Sequence, residues 1–212
     1  LVWKKYGEQL SGGRREAEVI DKYIIQSIDA YDNGVSTHEY TFEDIREYKI
    51  GDFFNSFIVD LNVSKNDLYK IFMGNVEIAK GILTREIIRA KEMVVGENLL
   101  KQSYEQSNDK RIIEVSKEGL PWEWMATEFP EPLYIIYPRR DGNWGIKAVP
   151  DKTKAYGNQR KPLPQEWAAK RGEDLQKVTG IKDAIFTHSK RFMASAKSKE
   201  GALQLAQKAL EQ

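Results

Sequence analysis

The sequence predicts an α+β protein, with helices first and a mixed sheet after them. Three observations carry this. One stripe of apolar residues at helical spacing runs from Leu68 to Val94, too long for a strand. Near residue 107 the pattern changes to short runs rich in β-branched and aromatic residues. Among these, "LYIIYPRRDGNWGIKAVP" places two β-rich arms around Asp141-Gly142, a tight-turn pair. The chain shows no internal repeat and no low-complexity linker. It divides into a helical segment at 1–63, a long connecting helix at 64–106 and an α+β unit at 107–212.

The elements follow in order. "LVWKKYG" reads as the second half of an amphipathic helix, with Val2, Trp3 and Tyr6 near one face and Gly7 as its stop. Because Leu1 opens the sequence in mid-pattern, the chain is expected to be a piece of a longer protein. Ala17, Ile20, Ile24, Ile28 and Tyr31 predict one helical face over 14–31, closed by Asn33-Gly34. Residues 35–50 read as a polar loop. "DFFNSFIVDLN" reads as a short helix burying Phe54, Phe57 and Ile58.

Ser64 and Asp67 form a capping pair ahead of the long helix. Its stripe is Leu68, Phe72, Val76, Ala79, Leu83, Ile87, Ala90 and Val94. "RIIEVS" is a short strand, and the hairpin follows. "DKTKAYGNQRKPLP" is a basic loop and "QEWAAKRGEDLQKVTG" a helix. "DAIFTH" and "RFMAS" are strands. Ser198 caps a last helix that turns Ala202, Leu205, Ala206 and Ala209 inward.

The composition of the 212 residues, 41% hydrophobic and 31% charged, is that of a globular domain. No apolar run approaches the ~20 residues that span a bilayer. The chain has no cysteine, which excludes disulfides and thiolate zinc sites. A formal net charge of +1 names no polyanionic partner by itself. With no visible signal peptide, the expected location is intracellular: cytoplasmic in a prokaryote, mitochondrial or nuclear in a eukaryote.

Four groups of residues offer chemistry. Asp29 and Asp32, three apart at a helix end, can face one side and offer hard oxygen ligands to Mg²⁺ or Mn²⁺. The same pair beside Asn-Gly also suits an ordinary solvated turn. Lys197, Ser198, Lys199 and Gly201 surround a helix start, where exposed amides favour an anion such as phosphate. A plain Ser cap with solvated lysines has the same sequence. His188, with Arg191 nearby, follows an apolar strand, while His38 lies in a polar loop. Finally, Arg139, Arg140, Lys152, Lys154, Arg160 and Lys161 interleave with Trp144 and Tyr156, a mixture suited to a nucleic-acid strand or to a solvated rim. Trp122, Trp124 and Trp167 read as core or interface, with the first two marking a contact surface for a homo-oligomer.

Four stretches carry a resemblance: "LVWKKYG", "IDAYDNGVS", "RKPLPQEWAAKRGEDLQKVTGIKDAIFTH" and "RFMASAKSKEGALQLAQKAL". They are similar to the Myg-type (melanocyte-proliferating-gene) family, labelled metal-dependent protein hydrolases and similar to the DHH phosphoesterase superfamily. The likeness is strongest after residue 160. It implies a two-lobe protein in which an N-terminal α/β lobe holds a Mn²⁺ or Mg²⁺ pair through H-N-G-x-F-H-x-D-E and Y-D-H-H segments. Neither segment stands in these 212 residues. The resemblance therefore implies the C-terminal two-thirds of such a protein, with residues 1–63 a helical remnant of the DHH-type lobe.

By the same likeness, "IDAYDNG" matches the family's I-D-A-x-D-N-G segment. This makes Asp29 the implied metal ligand and Asp32 its second catalytic acid. His188, Arg191, Lys197, Ser198, Lys199 and Gly201 match the H-x-x-x-x-F and K-S-K-E-G-A-L elements of the substrate lobe. Arg160 and Arg171 match its R-x-P-L-P and L-R-D-E-like segments. Ser195 stands where the family often has glycine. The implied function is a metal-dependent phosphodiesterase, a 3′–5′ exonuclease on single-stranded RNA or short oligonucleotides. The alternative is a non-catalytic module that binds nucleic acid or a partner. Peptide hydrolysis ranks last, because no Ser-His-Asp or zinc-protease motif is present.

Overall fold

A computed structural model describes residues 2–37, 39, 45, 47–60, 62–151 and 158–212. His38, Lys152, Lys154 and Tyr156 lie outside the described residues. The chain forms two compact units, Leu1–Val94 and Val95–Gln212.

The first unit is helical. Helix α1 (Val2–Ser11) does not stop at Gly7 as its sequence suggests. Gly7 is buried under the Trp3 indole, where a Cβ would collide. The indole N–H donates to the Ala17 carbonyl at 3.1 Å. The stop is Gly12, at φ +87°, whose N–H donates to the Glu8 carbonyl at 3.0 Å.

The helix predicted over 14–31 is present, but in three parts. These are α2 (Arg14–Ile20), a π-helical turn (Asp21–Ile25) and α3 (Gln26–Asp32). The Gln26 amide donates to Asp21 Oδ2 at 2.7 Å across the wide turn. A π turn inserts one residue and rotates everything after it. Ile20 is therefore buried while Ile28 and Tyr31, on the same predicted face, are exposed.

Helix α4 (Ile50–Asn55) is short, and Phe57 and Ile58 are exposed rather than buried. Helix α5 (Lys65–Gln106) starts as predicted. The Asp67 N–H donates to Ser64 Oγ at 3.2 Å, and that hydroxyl donates to Asp67 Oδ2 at 2.7 Å. Leu83, Ile87, Ala90 and Val94 pack with Trp3, Val19, Ile20 and Ile24. Leu68 and Phe72, at the head of the same stripe, are exposed. Periodicity says which residues share a face; only a covering element buries them.

The second unit is the α+β part. After α5 come β1 (Ile112–Glu114), α6 (Trp122–Glu128), β2 (Tyr134–Pro138), β3 (Trp144–Ala148), a 3-10 turn (Gln165–Trp167), α7 (Gly172–Thr179), β4 (Ala184–Thr187), β5 (Met193–Ala196) and α8 (Lys199–Glu211). The sheet is mixed, in order β1-β2-β3-β5-β4, with only β1–β2 parallel.

The β2–β3 hairpin turns at Gly142, at φ +82°. Its N–H donates to the Arg139 carbonyl at 3.1 Å, and the Arg139 N–H to Asn143 at 2.8 Å. The connection is wider than a two-residue Asp-Gly turn of type I′, which needs positive φ at both central residues, and Asp141 has none. The segment from Gln165 to Gly180, predicted as one helix, breaks at Ala169 (φ +60°). Helix α6 was not predicted.

Alternate residues of the strands feed two cores. Tyr134, Ile136, Ile146 and Ala148 face α7 and α8, together with Leu163, Trp167, Leu175 and Leu205. Ile113, Ile135, Tyr137 and Val149 pack with Leu100, Trp122 and Met125. The predicted inward residues of α8, Ala202, Leu205, Ala206 and Ala209, are all buried.

Four helices of this unit end on a basic side chain. Lys110 Nζ donates to the Tyr104 carbonyl of α5 at 2.6 Å, and Arg160 Nη2 to Ala126 of α6 at 2.8 Å. Lys208 Nζ reaches Thr179 of α7 at 2.7 Å, and Lys161 Nζ reaches Leu210 of α8 at 2.8 Å. Each cation meets the negative end of a helix. No helix of the described residues is long and apolar enough to cross a membrane.

Candidate functional site

Asp29 and Asp32 lie on the last turns of α3, and both are exposed. At 100° per residue their side chains leave the helix about 60° apart, as i, i+3 spacing predicts. A cleft of about 240 Å³ lies nearby, lined by Ser27, Ile28, Tyr31, Tyr48 and Lys49 among others, but by neither aspartate. Ser27 and Tyr31 mark the cleft's side of α3. Asp29 stands roughly opposite that side. Among the described residues no three His, Cys, Asp or Glu side chains form a group able to hold a metal ion. Divalent Mg²⁺ or Ca²⁺ takes six or more oxygen ligands, of which two exposed carboxylates supply a minority. By themselves these residues do not fit the ion.

The other eight predicted residues belong to the second unit, and the sheet separates them. Lys197, Ser198, Lys199 and Gly201 follow the C-terminal end of β5. His188 and Arg191 precede its N-terminal end. Strand β5 has four residues, so the two sets stand about 10 Å apart along it.

At the first end, Ser198 Oγ accepts from the Gly201 N–H at 3.0 Å. The same hydroxyl donates to Asp183 Oδ2 at 2.5 Å, and the Ser198 N–H donates to that oxygen at 3.1 Å. A carboxylate of the chain therefore sits over the start of α8. A Cβ at Gly201 would fall on it, which is why glycine stands there. Lys199 Nζ pairs with Glu114 Oε1 of β1 at 2.6 Å. Lys197 is exposed, and its N–H donates to the Asp183 carbonyl at 2.9 Å.

The opposite end is built on backbone bonds. The Lys190 N–H donates to His188 Nδ1 at 3.1 Å, and the imidazole lies 4.4 Å from the Phe192 ring centre. Arg191 adopts a positive φ of +58° and closes the β4–β5 turn through its N–H to the His188 carbonyl, at 2.8 Å. Its guanidinium donates to the Leu163 carbonyl at 3.2 Å. The Arg160 guanidinium holds the Pro132 carbonyl at 3.0 Å besides that of Ala126, and burial pulls its pKa down. Arg171 lies apart, its guanidinium 5.3 Å from the Phe186 ring centre beside β4. Most of these cations serve the fold.

A further cleft was not predicted. A groove of about 650 Å³ follows the outer edge of β1, between the end of α5 and α8. Its lining includes the half-buried Leu203 over the buried Ile112 and Ile136, with Ser103, Asn108, Ser116 and Gln207 as neutral hydrogen-bonding groups. Its two carboxylates are both compensated. Glu114 faces Lys199, and Arg111 forks onto Asp109 at 2.8–3.0 Å, holding that carboxyl below its usual range. Lys199, Leu203 and Gln207 recur every fourth residue and so share one stripe of α8. That spacing was the signal the sequence offered for this site.

Comparison with known proteins follows the whole chain. The family model MYG1_exonuc, described as "Uncharacterised protein family (UPF0160)", matches residues 1–210. The protein named MYG1 exonuclease in Rattus norvegicus is 26% identical, over 100% of this chain and 62% of its own length. Its namesake in Homo sapiens is 25% identical, over 89% and 54%. The MYG1 protein of Dictyostelium discoideum is 24% identical, over 100% and 71%. The chain thus spans about three-fifths of the rat relative. No solved structure matches.

Proposed function

The chain belongs to the MYG1_exonuc family, and from that premise we propose that it is the substrate-holding part of a nuclease that hydrolyses phosphodiesters. The finer reading is a metal-dependent 3′–5′ exonuclease acting on single-stranded RNA or short oligonucleotides. One observation supports the nuclease reading: the family match over residues 1–210, with rat and human relatives named exonucleases. The work of these residues is to bind and orient a polyanionic strand. Asp29, with Asp32 second, is the side chain the chain offers toward a Mn²⁺ or Mg²⁺ centre. The described residues do not complete such a centre, and no chemical step is assigned through it. The second reading is a module that binds nucleic acid without cutting it.

Two measurements test these readings on the same chain. The first is anisotropy of a fluorescein-labelled oligouridylate across a salt series. The second is release of mononucleotides from that strand with Mn²⁺ present. Salt-dependent binding supports the proposal, and no binding to RNA or DNA at low salt overturns it. Release that Asp29→Asn abolishes supports the nuclease; binding without release selects the module. Release that Asp29→Asn leaves unchanged removes Asp29 from the reaction.

A further inference from the structure

We propose that the cleft lined by Lys161 and Arg191 binds a phosphate monoester, the end group of a nucleoside monophosphate. The nucleoside rests on the nuclease reading; the phosphate rests on the cleft alone. The cleft measures about 410 Å³, within the ~300–1,000 Å³ of small-molecule sites. Its walls come from three places: residues 161–166, Arg191 of the β4–β5 turn, and Ala209 and Gln212 at the end of α8.

Two observations point to an anion. The first is charge without a counter-charge. Both cations are half-buried, and neither side chain forms an ion pair among the described residues. Lys199, Arg111 and Arg139, by contrast, face Glu114, Asp109 and Asp141. Lys161 Nζ donates to the Leu210 carbonyl at 2.8 Å, and Arg191 Nη1 to the Leu163 carbonyl at 3.2 Å. A carbonyl orients a cation without cancelling its charge. An ammonium carries three N–H groups and a guanidinium five, so most of these donors remain for a ligand.

The second is backbone strain at the same place. Arg191 stands at φ +58°, a conformation that glycine adopts freely and an L side chain does not. Strain of this kind clusters where a side chain clamps a ligand. The Leu163 N–H donates back to the Arg191 carbonyl at 2.9 Å, tying the turn to a segment that Pro162 and Pro164 stiffen. Both cations are therefore held in place before a ligand arrives, which lowers the cost of binding.

Charge selects the ligand. A phosphate monoester carries roughly −1.5 to −2 at neutral pH, against about −1 for a diester or a carboxylate. Two cations match the monoester. Glu166, the acidic side chain of the lining, is exposed, so solvent screens its repulsion.

The test is calorimetric titration of the full 212-residue chain with uridine 5′-monophosphate, inorganic phosphate and uridine. The monophosphate should bind, phosphate should compete with it, and uridine should not bind. Lys161→Gln and Arg191→Gln each remove one charged donor and should weaken binding about tenfold. Glu166→Gln should tighten it about twofold, the size of a rim charge. The Glu166 side chain makes no hydrogen bond or ion pair among the described residues, so this variant reads the site even where the other two lose stability. Monophosphate binding that all three variants leave unchanged overturns the proposal, as does uridine binding as tightly as its monophosphate. If neither monophosphate nor phosphate binds at millimolar concentration, the cleft assignment fails; oligouridylate binding by the same sample then leaves the nuclease reading standing. Binding of tetraglutamate without binding of phosphate assigns the cleft to carboxylates and also overturns the proposal.

Discussion

Asp183 and Ser198 are joined twice: one carboxylate oxygen accepts from both the amide and the hydroxyl of the serine, at 3.1 and 2.5 Å. The anion expected at this helix start is thus present within the chain. A methyl group at Gly201 must displace it. Gly201→Ala should destabilise the fold by about 1–3 kcal/mol, the usual cost of overpacking. Asp183→Ser should also cost stability, about 1 kcal/mol, through the lost cap. The double variant should cost less than the sum, because the smaller side chain vacates the space. Urea denaturation of the four proteins measures this; strict additivity would mean that the two positions do not meet.

Arg160 fastens α6 and the approach to β2 through two carbonyls, at 2.8 and 3.0 Å. Arg160→Met leaves both acceptors without their charged donor. A loss of about 2–4 kcal/mol is expected, since bonds from a charged group contribute more than neutral ones. Lysine reaches one carbonyl at a time and should recover only part of it. If Arg160→Met left stability unchanged and weakened oligonucleotide binding, the guanidinium would face the ligand instead.

Arg191 occupies a left-handed conformation that costs an L residue roughly 1–2 kcal/mol. Glycine escapes that cost but loses the bond to Leu163. Arg191→Gly should therefore be close to neutral, while Arg191→Ala keeps the strain, loses the bond and destabilises. Their melting temperatures should differ in that order. The reverse order would show that the side-chain bond outweighs the backbone term.

Burial pushes the Tyr134 phenol up to about 12. In the unfolded chain a tyrosine ionises near 10. The folded-state value is the higher one, so the contribution is fully present below pH 10 and is lost as pH rises toward 12. Stability should fall across that window, and Tyr134→Phe should flatten the fall. Urea midpoints at several alkaline pH values decide it; an identical slope in wild type and Tyr134→Phe would contradict the burial argument.

Much of the second unit was legible because its signals are local. Asp141-Gly142 between two β-rich arms, the Ser198 cap and the Ala202–Ala209 stripe each concern residues a few positions apart, and each is where its pattern placed it. The failures have local reasons too. Ala169 takes a left-handed φ that its residue type does not announce, and it splits a predicted helix. The π turn at Asp21–Ile25 leaves composition unchanged but rotates Ile28 and Tyr31 off the buried face.

The sequence alone determined the α+β class, the long capped helix, the hairpin and the family likeness that the family model confirms. Only the tertiary structure decided which charges work together. It set Lys197 and His188 at opposite ends of β5, gave Lys110, Arg160, Lys161 and Lys208 to helix termini, and joined α5, β1 and α8 into one groove. Helices and turns form from sterics and hydrogen bonds within a few residues, which a sequence displays directly. Glu114 and Lys199 meet because of sheet order and helix packing, and no pattern within either segment records that distance.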